Sequence, residues 1–496
     1  MENRSENNEQ SSALAFPIGL RYNLSIQEGV AGSRNLARFS AENPSVFQGT
    51  QNNVVRIPVS SPGFLDLKNA VLGFDLKNTS TGGTTVITLD GGANAIIQRY
   101  RILSSNGNEI ERIDSYNQLA CVLDQYSSNL SGLVSDSAMN GTPKRLSYTT
   151  KTPEVKADQT TKAVTMADGT TITVGTLTAL ELTVSNPSGG KGYMQEECDD
   201  LDTGITRHYE SGLKGGFFNP SSAKMLPGNV SFILELTLAP PNNCLKTAAT
   251  TAGFEARNFI LSIPTVQIMD TNAMSRLNMR LSKGVAFQAN TFHHHVNTVG
   301  SVGPSSIQIG ERSRVLKGLM SIFRYQADIS DKTKFKISKR TIQPVNNYQY
   351  QIGSSQYPSN QINIVCDKAN SGANAQTPAG TRLGLSSTAD MNISEAYSEV
   401  LRVFGGLNSN VSTTVIGQEP FAQSTLNNGC GLIAIDLQAY SDGSVTSGID
   451  TASNSLPVVL NTNLNGALTA TMQVDTYSIS QLTIIVDEFG NLFSES

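Results

Sequence analysis

The feature that most constrains the fold of this chain is that it spells out one run of elements twice. In the first half, "AIIQRYRIL" and "EIERI" are two strand-like runs flanking "SSNGN". There Asn106-Gly107 supplies the positive φ that a tight hairpin needs. Asp114 or Ser115 can cap the next stretch, "SYNQLACVLDQY". Tyr116, Leu119, Ala120, Leu123 and Tyr126 recur there at helical spacing and predict a helix of a few turns with one apolar face. In the second half, "NYQYQIGSSQYPSNQINIVC" reads as strand, turn and strand, with Tyr357-Pro358 at the bend. After a Gly/Ser/Ala/Thr-rich loop over 368–390 comes "SEAYSEVLRVFGGL", a second Tyr-bearing amphipathic helix, ended by Gly405-Gly406. A shared order of elements with weak residue-by-residue likeness predicts a tandem duplication of one β unit.

Around these landmarks the apolar residues alternate. "NNVVRIPV", "FLDLKNAVLGFDLKN", "TTVITLD" and "NVSFILELTLA" read as strands of the first unit. "NFILSIPTVQIMD", "GVAFQANTFHHHVNTV", "SSIQIGERSRVLKGLMSIFRYQ", "CGLIAIDLQAY" and "LTATMQVDTYSISQLTIIVDEF" read as strands of the second. Residues 1–28, rich in Asn, Glu and Ser, read as an arm that does not fold alone. Residues 152–192, rich in Thr, Ala and Gly, read as a loop insertion with a hairpin of its own around Asp168-Gly169. "PPNNCLKTAATTAG", residues 240–253, is the expected linker. The expected division is therefore an arm over 1–28, a first unit over 29–239 and a second over 254–496.

Composition agrees with an all-β class. Only 16% of the residues are charged, against about 25% in ordinary soluble domains. Ser, Thr, Asn and Gln solvate the surface instead, and Trp is absent. A net charge of −5 argues against a chain built to coat nucleic acid. No apolar run reaches the roughly 18 residues of a membrane-spanning helix. "MENRSENNEQSSALAFPIGL" lacks the basic n-region and long apolar core of a signal peptide. Cys121, Cys198, Cys244, Cys366 and Cys430 are scattered without CxxC spacing and are expected to be buried, reduced thiols.

Chemistry is sparse. "TFHHHVNT" is the one histidine cluster. On a strand His293 and His295 share a face, with His294 on the other, so His293 and His295 are weak candidates for a metal site. No carboxylate lies nearby in sequence, and a solvated or loop-end strand is the plainer reading. Glu196, Glu197, Asp199, Asp200 and Asp202 form an acidic knot that fails the calcium-loop spacing and reads as a solvated loop. Arg99 and Arg101, like Arg312 and Arg314, alternate as on a strand, and pairing between strands or subunits is the expected use. With four histidines and no nucleophile elbow, zincin or P-loop motif, no catalytic residue and no cofactor is expected.

Four strings carry a family resemblance: "AIIQRYRILSSNGNEIERIDSYNQL", "RSRVLKGLMSIFR", "NYQYQIGSSQYPSNQI" and "SEAYSEVLRVFG". Over about residues 30–490 the chain resembles the double jelly-roll major capsid proteins of icosahedral double-stranded DNA viruses. That lineage includes tectiviruses, adenoviruses, virophages and polinton-like viruses, and the last two look nearest. Residues 152–192 have no counterpart, as suits an inserted loop.

The resemblance implies two tandem eight-stranded jelly rolls with short helices in the loops. It implies a homotrimeric, pseudo-hexameric capsomer that tiles a virion shell assembled inside the host cell. Neighbouring capsomers, penton and minor capsid or cement proteins would be the partners, an internal membrane is compatible with it, and sequence-specific nucleic-acid binding is not implied. The competing readings are a non-viral β-sandwich adhesin or carbohydrate-binding module, an RNA-virus single jelly roll with a second domain, and a carbohydrate-active β enzyme. The first would be expected to carry a secretion signal and the second a basic arm, neither of which is seen. The third needs a carboxylate pair facing a cleft lined with aromatic rings, against which the absence of Trp argues.

Overall fold

The computed structural model describes the chain from Gly32 to Glu495, apart from residues 43–45, 52, 82–84, 128–138, 142–161, 166–170, 175–199, 221–224, 248, 250, 282–283, 301–302, 343–344, 365–391, 408–420, 422–428, 441–446, 454, 465–470 and 488. The arm over 1–28, most of 152–192, the loop 368–390, Glu196, Glu197, Asp199, Cys198 and Cys366 thus lie outside the described residues.

Eight strands carry the first half: β1 (Gly32–Ser40), β2 (Val54–Val59), β3 (Val71–Asn78), β4 (Ile97–Ser104), β5 (Glu109–Asp114), β6 (Thr206–Gly212), β7 (Phe232–Leu238) and β8 (Phe254–Ile268). Eight carry the second: β9 (Val285–Val299), β10 (Gly303–Ile309), β11 (Leu316–Tyr325), β12 (Val345–Ile352), β13 (Ser355–Asn363), β14 (Ile433–Asp436), β15 (Val458–Leu464) and β16 (Met472–Val486). The first half forms antiparallel sheets β1-β8-β3-β6 and β2-β7-β4-β5, and the second forms β9-β16-β11-β14 and β10-β15-β12-β13. Counted within each half, both sets read 1-8-3-6 and 2-7-4-5, so each half is one jelly roll of identical topology.

Local chemistry explains the strands. In β7, Phe232, Leu234, Leu236 and Leu238 are buried while the residues between them are only half-buried, which is how one face of a sandwich sheet looks. Each large side chain so buried contributes about 1.5–3 kcal/mol. Gly107 turns the β4–β5 hairpin at φ +83°, with its N–H donating to Ser104 O at 2.9 Å. Helix α1 (Tyr116–Ser127) follows β5, and helix α3 (Ser394–Leu407) stands between β13 and β14, the same station in the second roll. Helix α2 (Thr271–Leu281) joins the rolls. The hairpin expected inside the insertion is present: Lys162–Thr165 pairs with Thr171–Val174 and with no other described strand.

Antiparallel pairing makes odd and even strands run in opposite senses, which sorts the loops. The connections after the first, third, fifth and seventh strands gather at one end of a roll. Those after the even strands, with the chain ends and α2, gather at the other. Asp90, between β3 and β4, meets residues 336–338 between β11 and β12. At the opposite end Asn106, between β4 and β5, meets Asn491 beyond β16. Like ends touch like ends, so the rolls stand side by side in the same sense.

Five local expectations need correction. The strand 254–268, assigned by sequence to the second unit, is β8, and it pairs with β1 and β3 of the first roll. The supposed linker 240–253 is the β7–β8 connection: a helical turn at Pro241–Cys244, then Leu245–Lys246 pairing with Ile87–Leu89. A proline pair and small residues look like a linker from within, yet these backbone groups are used by the roll, and the junction between rolls is α2. In the β12–β13 hairpin the turn is at Gly353, φ +61°, while the cis Tyr357-Pro358 bond lies inside β13 beside a register shift. Arg312 and Arg314 lie in the β10–β11 loop, not on a strand. The run 64–78 is broken by a 3-10 turn at Leu67–Asn69.

Candidate functional site

The seam between the rolls gathers several buried polar side chains, Asp90, Glu111, Gln125, Thr291, Lys336 and Ser338 among them. At the end carrying the odd-strand loops, Asp90 is fully buried. Its carboxylate accepts the N–H of Lys336 at 2.5 Å, of Ile337 at 2.7 Å and of Ser338 at 3.1 Å, and the Ser338 hydroxyl at 2.5 Å. Lys336 Nζ in turn donates to Leu245 O of the first roll at 2.7 Å. Helix α1 is clasped beside this clamp. Tyr126 stacks on Phe404 of α3 with centroids 4.8 Å apart and donates its hydroxyl to Cys430 O at 2.9 Å. Gln125 Nε2 donates to Ser338 O at 3.0 Å, and Tyr477 of β16 donates to Ser115 O at 3.0 Å. The two helices that rhyme in sequence therefore meet at the seam.

Further along, Glu111 of β5 is buried. It accepts from Gly216 N at 2.8 Å, Phe217 N at 3.0 Å and, across the seam, Thr291 Oγ1 of β9 at 2.9 Å. Burial raises the Glu111 carboxyl above its ordinary range, against the pull of those hydrogen bonds. The rolls are so close here that a Cβ on Gly216 would lie 2.2 Å from Asn290 O, which only glycine avoids.

The histidine run sits on β9 beside this point. His293 and His295 share a face, as the strand period requires, and both meet Glu311: His293 Nδ1 at 3.2 Å and His295 Nε2 at 3.0 Å. His294, on the other face, meets Asp475 at 2.9 Å, and Asp475 also receives Arg324 at 2.7 Å. The sequence reading missed both carboxylates because pairing and a loop, not sequence proximity, deliver them. Burial acts against ionisation of Glu311, yet hydrogen bonds from His293 and His295 and the His293 charge hold it well below the usual carboxylate range. Burial likewise opposes ionised Asp475, but Arg324 and His294 hold it well below that range. Burial lowers His293, and the hydrogen bond to Glu311, with the charges of Glu311 and Glu111, raises it above 6.5 overall. Among the described residues no group of three or more His, Cys, Asp or Glu is arranged to hold a metal ion.

The other residues singled out by sequence are scattered. Arg99 pairs with Asp114 at 2.5 Å, and Arg101 pairs with Glu109 at 2.7 Å and Glu235 at 2.8 Å, all within the β2-β7-β4-β5 sheet. Arg312 is exposed and donates to Leu456 O at 3.1 Å. Arg314 and Asp202 are exposed. Cys121, Cys244 and Cys430 are buried free thiols, and burial pushes Cys244 up to about 12.

Two jelly rolls of one topology, standing in one sense and fastened along a seam, define a double jelly-roll protein. Solved structures of this architecture resemble the chain over nearly its full length. The PBCV-1 Vp54 structure fitted into a reconstruction of the virophage Sputnik matches with a TM-score of 0.51 at 9% identity, covering 96% of this chain and 99% of that one. The Faustovirus major capsid protein matches at 0.53 and 11%, covering 93% and 92%. The Sputnik virophage structure matches at 0.51 and 11%, covering 97% and 92%. These neighbours are double jelly-roll major capsid proteins, the lineage that the sequence resembles, and at such identities the likeness is one of fold. No protein-family model and no curated protein matches the sequence.

Proposed function

We propose that the chain is the major capsid protein of an icosahedral double-stranded DNA virus. Three copies form a pseudo-hexameric capsomer, six jelly rolls in outline, and these capsomers tile the shell. The observation that carries this reading is the pair of identically wired rolls, parallel and locked by buried hydrogen bonds, in a fold shared with viral capsid proteins along nearly the whole chain. A rigid two-lobed brick is what a three-fold capsomer needs to imitate six-fold symmetry. The partners in this reading are two further copies, neighbouring capsomers, penton and minor capsid or cement proteins, and, where a virus has one, an internal membrane.

Loop sorting supports a polarity as well. In sequence 152–192 belongs to the β5–β6 connection, and β5 ends on the side of the roll opposite to α2 and to the start of β1. In this reading the insertion faces outward and the arm over 1–28 faces the shell interior.

Electron microscopy and native mass spectrometry of the purified chain at neutral pH test the proposal. Trimeric discs or shells, and a mass of three chains, are expected. A stable monomer over a wide concentration range would refute the trimer and weaken the capsid reading with it. An adhesin or carbohydrate module would give a monomer that binds glycans.

A further inference from the structure

The histidine run is the sequence feature that the capsid reading leaves unused. It faces a groove of about 320 Å³ between the rolls. On the second-roll side Thr291, His293 and His294 line it, and on the first-roll side Glu109, Glu111, Arg112 and Asp114 do. Thr291 and His293 are two apart on β9 and share a face, and Thr291 already holds Glu111 across the seam at 2.9 Å. His293 is a third exposed, so protons and water reach it.

The charges around His293 are unbalanced. On β5, Glu109 is paired with Arg101, and Asp114 with Arg99 and Arg112. Glu111 alone among those three acids has no ion pair among the described residues. On β9, His294 is committed to Asp475, which Arg324 also holds, and His295 shares Glu311 with His293. Arg312, next to Glu311, points to Leu456 O. Two buried carboxylates, one from each roll, therefore share the neighbourhood of one titratable ring.

We propose that the seam is a proton-operated latch, in which protonated His293 answers Glu311 of its own roll and Glu111 of the other. The latch belongs to the chain itself and does not rest on the capsid reading. Linkage sets the sign. His293 is raised in the folded chain, so its contribution is fully present below its unfolded value of 6.5 and is lost as pH rises through the folded value. Glu111, raised from 4.5 by burial, adds a penalty in the same direction as it ionises. Glu311, lowered from 4.5, weakens the seam only in stronger acid. The His293 and Glu311 contributions are both present between roughly pH 4.5 and 6.5, the Glu111 penalty favours the acid end of that window, and the seam loosens in mild alkali.

Hydrogen exchange of the full chain, corrected for the pH dependence of intrinsic exchange, reads this directly in peptides from β5 and β9. Protection is expected to fall from pH 5.5 to pH 8, by about tenfold for each pKa unit by which closing the seam raises His293. His293→Gln, which keeps a donor and cannot titrate, should remove most of the change and leave only what Glu111 adds as it ionises. Glu111→Gln should reduce it, and His208→Gln, at a surface pair with Asp75, should leave it intact. Protection that is flat with pH in the unaltered chain overturns the proposal. So does a full response surviving in His293→Gln or in Glu111→Gln. If His293→Gln does not fold, the Glu111→Gln comparison decides alone.

Discussion

Replacing Asp90 by alanine should uncouple the two jelly rolls. The Asp90 carboxylate is fully buried and accepts four hydrogen bonds from one short segment of the other roll, three of them from backbone amides. Alanine removes every acceptor and leaves those amides inside the protein. A buried donor without a partner costs about 1–3 kcal/mol. The serine hydroxyl can turn away, and a water entering the vacated space can serve two of the amides. The expected loss is about 4 kcal/mol, near the upper end for single substitutions. Asparagine keeps the shape and one oxygen but aims an NH2 group at donors, and should cost about 2–3 kcal/mol. The assay is urea unfolding followed by circular dichroism and by tyrosine fluorescence, since the chain has no tryptophan. Asp90→Ala should lower the midpoint and separate the transition into two as the rolls unfold independently. A double-mutant cycle with Ser338→Ala should show coupling above about 1 kcal/mol. An Asp90→Ala chain within about 1 kcal/mol of the unaltered protein, unfolding in one unshifted step, would refute the clamp.

The same contacts and boundaries set further expectations. Tyr126→Phe should cost about 1 kcal/mol through its bond to Cys430 O, and Tyr126→Ala about 3–5 kcal/mol through the lost stack on Phe404, both readable in thermal melts. Asp475 is depressed in the folded chain, so its contribution is present above 3.8 and lost as pH falls below it; Asp475→Asn should lower Tm at pH 7 and flatten its fall between pH 4 and 2. A peptide tag placed between Lys162 and Asp168 should leave the oligomeric state of the unaltered chain unchanged by size exclusion, because the hairpin there pairs with no other described strand. If the chain builds capsomers as proposed, one beginning near Gly29 should fold and stay soluble while assembling poorly by electron microscopy, since it keeps all of β1 (Gly32–Ser40).

Much of the fold is local and so was legible in the residues. Period-two alternation marks β3, β7 and most other strands, Asn106-Gly107 marks a hairpin, and the spacing from Tyr116 to Tyr126 marks a helix. Each signal lives within a dozen residues, and their shared order in the two halves revealed the duplication. The parity of His293 and His295 on β9 was legible for the same reason.

What tertiary structure alone decided is who meets whom. Alternation says that a segment is a strand and nothing about its partners, so β8 reads in sequence as part of the wrong roll, and only its pairing with β1 and β3 places it. Helix α1 reads as amphipathic, yet Asn117, Gln118, Asp124 and Gln125 on its polar side are buried too, because the second roll and the β3–β4 and β6–β7 connections cover them. The carboxylates that answer the histidines, and the amides that answer Asp90, come from distant segments, up to 248 residues away in the case of Ser338. A hydrogen bond across such a separation leaves no periodicity in the chain. Its partners are fixed by sheet register and loop reach, and those exist only once both rolls have closed.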